Sequence, residues 1–164
     1  MNKKKIDFTI RQATKDDACK VLELIKELAF FEDLLSEVTA TEELLKDTLF
    51  GINSSSDVTI AHTEDAILGY ALYFETFSTF LGKKGLYLED LYVRERSRGI
   101  GVGKALFREI ARKTLEIGGG RLEWSVLNWN KKAIGFYQKM GALPMKEWTT
   151  FRLKEENLQA LIDN

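Results

Sequence analysis

The chain has 164 residues, 45% apolar and 30% charged, with a formal net charge of −1 and one proline. These values fit one globular domain with a sizeable core, and we predict a single domain over residues 1–164. The near-zero charge gives no general basic field for nucleic acid, and no apolar run approaches the roughly 20 residues of a membrane helix. With one cysteine and one histidine, an internal disulfide and a multi-cysteine or two-histidine metal site are excluded.

The basic start Lys3–Lys5 is not followed by an apolar stretch of signal-peptide length. We therefore interpret it as a solvated terminus and expect a cytoplasmic protein. We expect no metal, no membrane partner and no nucleic-acid partner.

Hydrophobic periodicity together with start and stop signals predicts a mixture of strands and helices. Thr14 with Asp17, and Thr39 with Glu42, resemble capping boxes at helix starts, and 118–120 is a glycine stop. The predicted elements are a strand at 6–10, a helix at 18–29, a short helix ending near 49, a hairpin of strands at 58–63 and 66–77, a strand at 86–93, a helix at 102–115, a strand at about 121–127, a helix at about 131–140, a strand at about 146–153 and a helix at 155–162. This order predicts a mixed α/β sheet in which hairpins precede crossover helices.

A glycine-rich turn follows the strand predicted at 86–93. Gly99, Gly101 and Gly103 allow torsions closed to other residues and keep side chains away from a ligand, while the helix that begins here offers amides and a positive dipole end to a pyrophosphate. A purely structural tight turn is the alternative. Lys104 is followed by Ala105, which excludes the Gly-Lys-Ser/Thr ending of a nucleoside-triphosphate loop, and the glycine spacing does not fit the dinucleotide pattern.

The pattern Arg98-x-x-Gly101-x-Gly103, between a strand and a helix, resembles the acetyl-CoA loop of the GNAT acetyltransferase superfamily. From about residue 10 to 153 the sequence is similar to one branch, the spermidine/spermine group of diamine and thialysine N-acetyltransferases. The similar stretches are Leu24–Ala29, Tyr87–Asp90, Trp129–Asn130, Phe136–Tyr137 and Gly141–Ala142. Several similarities in the right order are more specific than the loop alone.

The resemblance implies a fold, a co-substrate and an assembly. The fold is a twisted, mixed and mostly antiparallel sheet with flanking helices, splayed between its fourth and fifth strands. Acetyl-CoA is the implied co-substrate, with its pantetheine arm along the backbone of 91–93 and its pyrophosphate on the amides of 99–104. The branch also implies a homodimer. The implied cofactor-binding residues are Leu91, Tyr92, Val93, Arg98, Gly99, Ile100, Gly101, Val102, Gly103, Lys104, Asn130, Ala133 and Tyr137.

N-acetylation needs a neutral amine and a proton for the departing sulfur, although an alkyl amine with a pKa of about 10.4 is protonated at pH 7. The spacing of Asn130, Ala133 and Tyr137 matches the family's, in which the tyrosine is the general acid. Tyr137 is therefore the predicted proton donor. A core aromatic with its hydroxyl in water is the alternative for Tyr137, and a strand-to-helix cap is the alternative for Asn130.

Two acidic side chains, Glu89 and Glu32, are candidates for the acceptor side. Glu89 and Asp90 are adjacent on a predicted strand, so we expect them to point to opposite faces. By resemblance, Glu89 receives the amine, directly or through water, and helps to deprotonate it; structural salt bridges are the alternative. Phe31 and Glu32 follow the first helix where the family lines its acceptor pocket, and a solvated helix-end charge is the alternative for Glu32.

Ser78 and Phe80 stand where the polyamine-acetylating members carry an acidic residue and a tryptophan that contact the substrate. This difference favours a lysine-like amino acid, such as thialysine, or a short diamine over a long polycation. The sequence thus predicts an acetyl-CoA-dependent N-acetyltransferase acting on a primary amine of a small molecule. Acetylation of protein amines and a non-catalytic, acetyl-CoA-binding regulatory module are the alternatives.

Overall fold

The computed structural model describes residues 7–163; the basic residues Lys3–Lys5 and the predicted strand start at Ile6 lie outside this range. The chain divides into two compact units, residues 1–125 and 126–164, and a single domain stays a prediction. The elements of the described range are β1 (Thr9–Gln12), α1 (Ala18–Phe31), α2 (Glu42–Thr48), β2 (Ser56–His62), β3 (Ile67–Ser78), β4 (Lys83–Val93), α3 (Val102–Glu116), β5 (Leu122–Trp124), α4 (Lys131–Lys139) and α5 (Glu155–Ile162).

The described strands form one sheet in the order β1-β2-β3-β4-β5. The first four pair antiparallel with their neighbours, whereas β4 and β5 pair in parallel, and only from Leu86 to Leu88. In the described residues, β4 therefore has a partner on one side only from Glu89 to Val93. The predicted fold class, a mixed and mostly antiparallel sheet splayed between its fourth and fifth strands, is confirmed.

Helix α1 packs against one face of the sheet because its apolar side chains recur at helical spacing. Val21 and Leu24 are fully buried in a cluster that includes Tyr70 of β3. Helix α3 contacts β3 and β4, and its Lys113 lies over the ring of Tyr73. Tyr70 and Tyr73 are three residues apart in one strand and so point to opposite faces. The two helices therefore lie on opposite faces of the sheet.

The strand predicted at 146–153 is wrong. Residues 143–153 form turns and irregular backbone, and Trp148 and Phe151 are 72% and 90% exposed. Alternating apolar residues describe a segment with two different sides, but a strand also needs a hydrogen-bonding partner. In the described sheet no strand pairs with this segment.

Smaller differences concern element boundaries. The side chain of Thr41, not Thr39, caps α2 by accepting the Leu44 N–H at 3.2 Å. Strand β4 begins at Lys83 rather than Leu86 because the β3–β4 connection is tighter than predicted. The helix stop at 118–120 and the helix at 155–162 are confirmed. No helix within residues 7–163 has both the length and the apolar character to span a membrane.

Candidate active site

The glycine turn between β4 and α3 leads directly into a helix N-terminus without a side-chain cap. Gly99 and Gly101 have positive φ angles of 80° and 98°, which only glycine adopts readily. Gly101 is the N-cap of α3, and its carbonyl accepts the Ala105 N–H at 2.9 Å. The amides before Ala105 belong to the first turn, where a helix has no internal acceptors. They are suited to an anionic ligand.

Gly103 is not required by the packing of the protein itself. It lies within α3, and a Cβ placed there would meet only the Val93 side chain, at an ordinary 3.6 Å. The purely structural interpretation of the turn therefore accounts for Gly101, whose φ is positive, but not for Gly103. The missing side chain leaves space at the start of the helix, which fits the close approach of a pyrophosphate.

The splay of the sheet leaves one edge of β4 open just before this turn. Leu91 and Val93 pair with Ala71 and Gly69 of β3, while β5 has already ended its pairing at Leu88. A strand edge of this kind can pair with an extended ligand through its main-chain groups. The predicted pantetheine-binding segment thus has a suitable backbone.

A β-bulge interrupts β4 at Glu89. Leu88 pairs with Tyr73 and Asp90 pairs with Leu72, so Glu89 has no opposite residue on β3. Paired side chains share a face, so Leu88 and Asp90 lie on opposite faces although they are two positions apart. The expectation that Glu89 and Asp90 point to opposite faces was based on unbroken alternation, and the bulge removes that basis.

Asp90 is a half-buried carboxylate that the sequence analysis did not assign to the site. The Tyr70 hydroxyl donates a hydrogen bond to its Oδ2 at 2.8 Å. Burial raises the pKa of Asp90 to about 6, with smaller upward contributions from the negative charges of Glu89 and Glu32 and an opposing one from the Tyr70 hydrogen bond. Burial also raises the pKa of Glu32. These three carboxylates share one electrostatic environment, which a cation would stabilise.

Arg94, the residue that follows β4, forms ion pairs with two acidic residues of α1. Its guanidinium pairs with Glu27 at 3.0 Å and with Glu23 at 3.4 Å, both on α1. By contrast, no lysine or arginine in residues 7–163 forms an ion pair with Glu32, Glu89 or Asp90. The structural salt bridges considered for the acidic pair are therefore not found in this range. The sequence marks Arg94 only as one of several positive charges near the glycine turn, and its ion pairs could not be predicted because its partners lie 67 and 71 residues away.

Arg98, predicted to bind the cofactor, is engaged within the protein. Its Nε donates to the Val93 carbonyl at 2.9 Å. Its guanidinium carbon lies 5.0 Å from the centre of the Phe31 ring and 5.6 Å from that of Tyr92. Phe31, predicted to line the acceptor pocket, is the last residue of α1. The side chain of Arg98 thus connects β4, α1 and the glycine turn.

The remaining predicted residues lie in the second compact unit. Asn130 caps α4 by accepting the Ala133 N–H at 3.1 Å, which confirms the capping interpretation. Tyr137 is half-buried in α4, with its ring edge-on to that of Phe136 at 5.2 Å between centres. The catalytic role of Tyr137 stays a prediction, as do the roles of Asn130 and Ala133 toward CoA.

Ser78 and Phe80, on which the predicted acceptor class depends, differ in their surroundings. Ser78 is buried, and its Oγ accepts the Leu81 N–H at 3.3 Å in the β3–β4 turn. Phe80 is 94% exposed. Within the described residues, no group of three or more histidine, cysteine, aspartate or glutamate side chains is placed to hold a metal ion.

Comparison with known proteins agrees with this geometry. The model of the Acetyltransferase (GNAT) family matches residues 21–142. The chain belongs to the GNAT acetyltransferase family. It is 34% identical to the thialysine N-epsilon-acetyltransferase of Sus scrofa, over 93% of this chain and 95% of that protein. It is 32% identical to the L-ornithine N5-acetyltransferase NATA1 of Arabidopsis thaliana, over 93% of this chain and 86% of that protein.

A solved structure supports the fold. An integron cassette protein from V. cholerae superimposes with a TM-score of 0.82 at 24% identity, covering 97% of this chain and 99% of its own. The family match and the curated N-acetyltransferase relatives together show that this chain is an acetyltransferase.

The raised pKa of Asp90 predicts a pH-dependent effect of Asp90→Asn on stability. An aspartate in an unfolded chain has a pKa of about 3.9, so the folded state with a pKa of about 6 binds the proton more tightly. Ionised Asp90 therefore lowers the stability of the wild type, and this cost disappears as the pH falls from 7 towards 4. We expect Asp90→Asn to be more stable than wild type by roughly 2–3 kcal/mol at pH 7, and about equally stable at pH 4.

Urea unfolding of both proteins between pH 4 and 8 measures this difference. Tyr70→Phe is the matched comparison, because it removes the hydrogen bond that lowers the pKa of Asp90. In this variant the loss of stability caused by ionised Asp90 should therefore begin at a higher pH than in wild type. A difference between Asp90→Asn and wild type that stays constant with pH would contradict the assignment.

Proposed function

We propose that this enzyme transfers the acetyl group of acetyl-CoA to a primary amine of a small molecule, with a lysine-like amino acid or a short diamine as the acceptor. The observation that carries the proposal is the combination of an uncapped glycine turn at α3 with unneutralised carboxylates on the adjoining strand β4. The first feature suits a pyrophosphate and the second suits an ammonium. The names of the relatives, which act on thialysine and L-ornithine, support an acceptor of this class.

In this proposal, acetyl-CoA is held mainly by main-chain groups. The open edge of 91–93 pairs with the extended pantetheine arm, and the amides of 99–104 bind the pyrophosphate at the positive end of α3. Gly103 gives the phosphates room to approach those amides. Asn130 and Ala133 complete the proposed contacts to CoA from the start of α4.

The acceptor is held by charge. Glu32, Glu89 and Asp90 receive its ammonium groups, and Phe31 supplies an apolar wall for the carbon chain. An ammonium taken from water needs an anionic partner, and three carboxylates in one environment provide for a reacting amine and one further positive charge. Ser78 and Phe80 add no carboxylate, which limits the affinity for longer polycations.

When bound, acetyl-CoA supplies the acetyl carbonyl and a thiolate leaving group. Glu89, directly or through water, takes a proton from the acceptor ammonium and leaves a neutral amine. The amine nitrogen forms its bond to the acetyl carbon as the carbon–sulfur bond breaks. The Tyr137 hydroxyl then gives its proton to the departing sulfur, the second amine proton leaves to solvent, and Glu89 loses and Tyr137 regains a proton from solvent before the next turnover.

We further propose that the protein is a cytoplasmic homodimer. The C-terminal part of the chain supports an assembly, since Trp148, Phe151, Leu161 and Ile162 are all more than 60% exposed. Large apolar side chains with this exposure are candidates for burial by a partner subunit.

The role of Gly103 predicts that Gly103→Ala weakens CoA binding without unfolding the protein. The new methyl group has room against Val93, and alanine favours a helix over glycine by about 1 kcal/mol. We expect an unchanged or higher melting temperature and an affinity for CoA at least about tenfold lower by calorimetry. Unchanged CoA affinity would contradict the pyrophosphate site.

The general-acid role predicts that Tyr137→Phe lowers kcat by about 10²-fold or more, with little change in CoA affinity. The variant keeps the aromatic ring, so its contact with Phe136 is preserved. Stopped assays of free thiol under saturating substrates give kcat. Turnover within a factor of about two of wild type would rule out the role.

The carboxylate arrangement predicts that thialysine, lysine, ornithine or putrescine has a higher kcat/KM than spermine. One thiol-release assay with acetyl-CoA ranks these amines, together with spermidine and a lysine-containing peptide. Spermine ranking first would contradict the proposed acceptor class. A preference for the peptide would favour protein acetylation, and CoA binding without thiol release for any amine would favour a regulatory module.

The homodimer predicts a sedimenting species of about twice the chain mass of 18.8 kDa at micromolar concentration. Phe151→Asp should shift the equilibrium to monomer, because it places a charge in the apolar surface. Thr150→Asp adds the same charge at the neighbouring exposed position and serves as the control. A wild type that sediments only as a monomer would contradict the assembly.

A further inference from the structure

We propose that the acceptor is an α-amino acid and that Arg121, oriented by Glu123, binds its α-carboxylate. Arg121 directly precedes β5 and Glu123 lies within it, apart from the carboxylates of Glu32, Glu89 and Asp90. The inference rests on the proposed function and narrows it, because it favours lysine-like amino acids over the diamines that differ from them only by the missing carboxylate.

The first observation is that Glu123 lies on the face of the sheet that carries Asp90. Alternate residues of a strand share a face, and so do paired residues of neighbouring strands. Leu72 of β3 pairs with Asp90, and Phe74 pairs with Tyr87. Tyr87 in turn pairs with Glu123 of β5. These side chains therefore share one face, the face against which α1 packs.

The second observation is that the side chain of Arg121 lies on the same face. A Cβ atom added at Gly85, two residues before Tyr87, would come within 3.3 Å of the Arg121 Cγ. The absence of a side chain at Gly85 thus leaves room for Arg121. The Arg121 Nε lies 2.7 Å from Oε2 of Glu123, which brings the guanidinium towards the position of Tyr87.

The third observation is that hydroxyl groups and an aromatic surface adjoin this ion pair. The Tyr87 hydroxyl and the Ser125 Oγ are 2.8 Å apart and share a hydrogen bond. That bond uses one hydroxyl proton, and the other can be donated to a carboxylate. The Tyr87 ring stacks on that of Phe74 at 5.4 Å between centres. A cation, a hydroxyl donor and an apolar surface suit the carboxylate end of an aliphatic amino acid.

The spacing from Asp90 fits the length of a lysine-like side chain. Successive positions on one face of a strand are about 6.6 Å apart. Asp90 and Tyr87 occupy successive positions, because the bulge at Glu89 accounts for the extra residue. In an extended lysine, six bonds of about 1.5 Å separate the reacting nitrogen from the carboxylate carbon, a span of roughly 7–8 Å. The amine can thus lie at Asp90 while the carboxylate lies at Arg121.

The two charges of the ion pair suit a zwitterion. Arginine binds carboxylates through parallel N–H donors, and its guanidinium has enough donors to hold Glu123 and a ligand carboxylate together. The α-ammonium beside that carboxylate is attracted by Glu123. Both side chains are 41% exposed, so a ligand can reach them, and exposed ion pairs contribute little to the stability of a fold. A diamine has no group that binds Arg121.

Amino acids and their decarboxylated counterparts test the assignment. Lysine is compared with cadaverine, and ornithine with putrescine, because each diamine lacks only the carboxylate. We expect wild type to have a kcat/KM at least about tenfold higher for the amino acid of each pair. In Arg121→Gln this ratio should fall at least about tenfold through a higher KM for the amino acid. The kcat/KM for cadaverine should stay the same or rise, because Glu123 loses its partner.

Lys84→Gln is the matched control. It removes the same charge and breaks an ion pair of the same length, with Glu75 at 2.7 Å. Glu75 is two residues from Tyr73 in β3, on the face that α3 covers, so the ratio of the two substrates should equal that of wild type. If Arg121→Gln does not fold, Arg121→Lys keeps the charge and loses the planar fork, and the ratio should then fall at least about threefold.

A binding measurement separates this inference from the proposed function. Calorimetry with protein saturated with CoA should show that wild type binds lysine more tightly than cadaverine and that Arg121→Gln loses this preference. Equal kcat/KM values for lysine and cadaverine in wild type, or a ratio that Arg121→Gln leaves unchanged, would overturn the inference while acetyl transfer to amines stands. If no amine is acetylated, the proposed function fails, and lysine binding that is absent or independent of Arg121 overturns the inference as well.

Discussion

The feature on which the candidate site depends is the loss of a hydrogen-bonding partner along β4. The strand pairs on both sides as far as Leu88 and on one side beyond it. Main-chain groups at such an edge need water or a ligand to satisfy them. The bulge at Glu89 falls where the second partner ends, and the glycine turn follows the last residue of the same strand. One strand therefore contributes to both proposed binding sites.

Charge is distributed around this strand in two different ways. Arg94 compensates Glu23 and Glu27, and these contacts fasten α1 to the end of β4. Asp90 has a hydrogen bond from Tyr70 instead of a cation, and its partial removal from water costs stability when it is ionised. Proteins tolerate such costs mostly at functional sites. The contrast distinguishes acidic residues that support the fold from those available to a ligand.

Features governed by local rules were predicted well from the sequence. The positive φ of Gly101 and the start of α3 depend on neighbouring residues, and both are found, as is the cap at Asn130 that was considered as the alternative to a CoA contact. The strand at 146–153 was wrong because pairing depends on a distant partner. The burial of Asp90 and the stacking of Arg98 on Phe31 also depend on residues far away in the chain. Family resemblance identified the segments of the site, but not how their side chains are engaged.

The bulge has a consequence for how the acceptor side tolerates sequence change. The extra residue at Glu89 shifts the phase of β4, so that Leu88 and Asp90 face opposite sides of the sheet. A point substitution leaves this phase intact. Removal of a single residue between Leu88 and Asp90 would restore strict alternation and turn either the carboxylate or the core leucine to the wrong face. A substitution at Glu89 thus removes its carboxylate but keeps Leu88 and Asp90 on their faces, whereas a deletion there does not, since chain length in this segment determines which face carries the charge of Asp90.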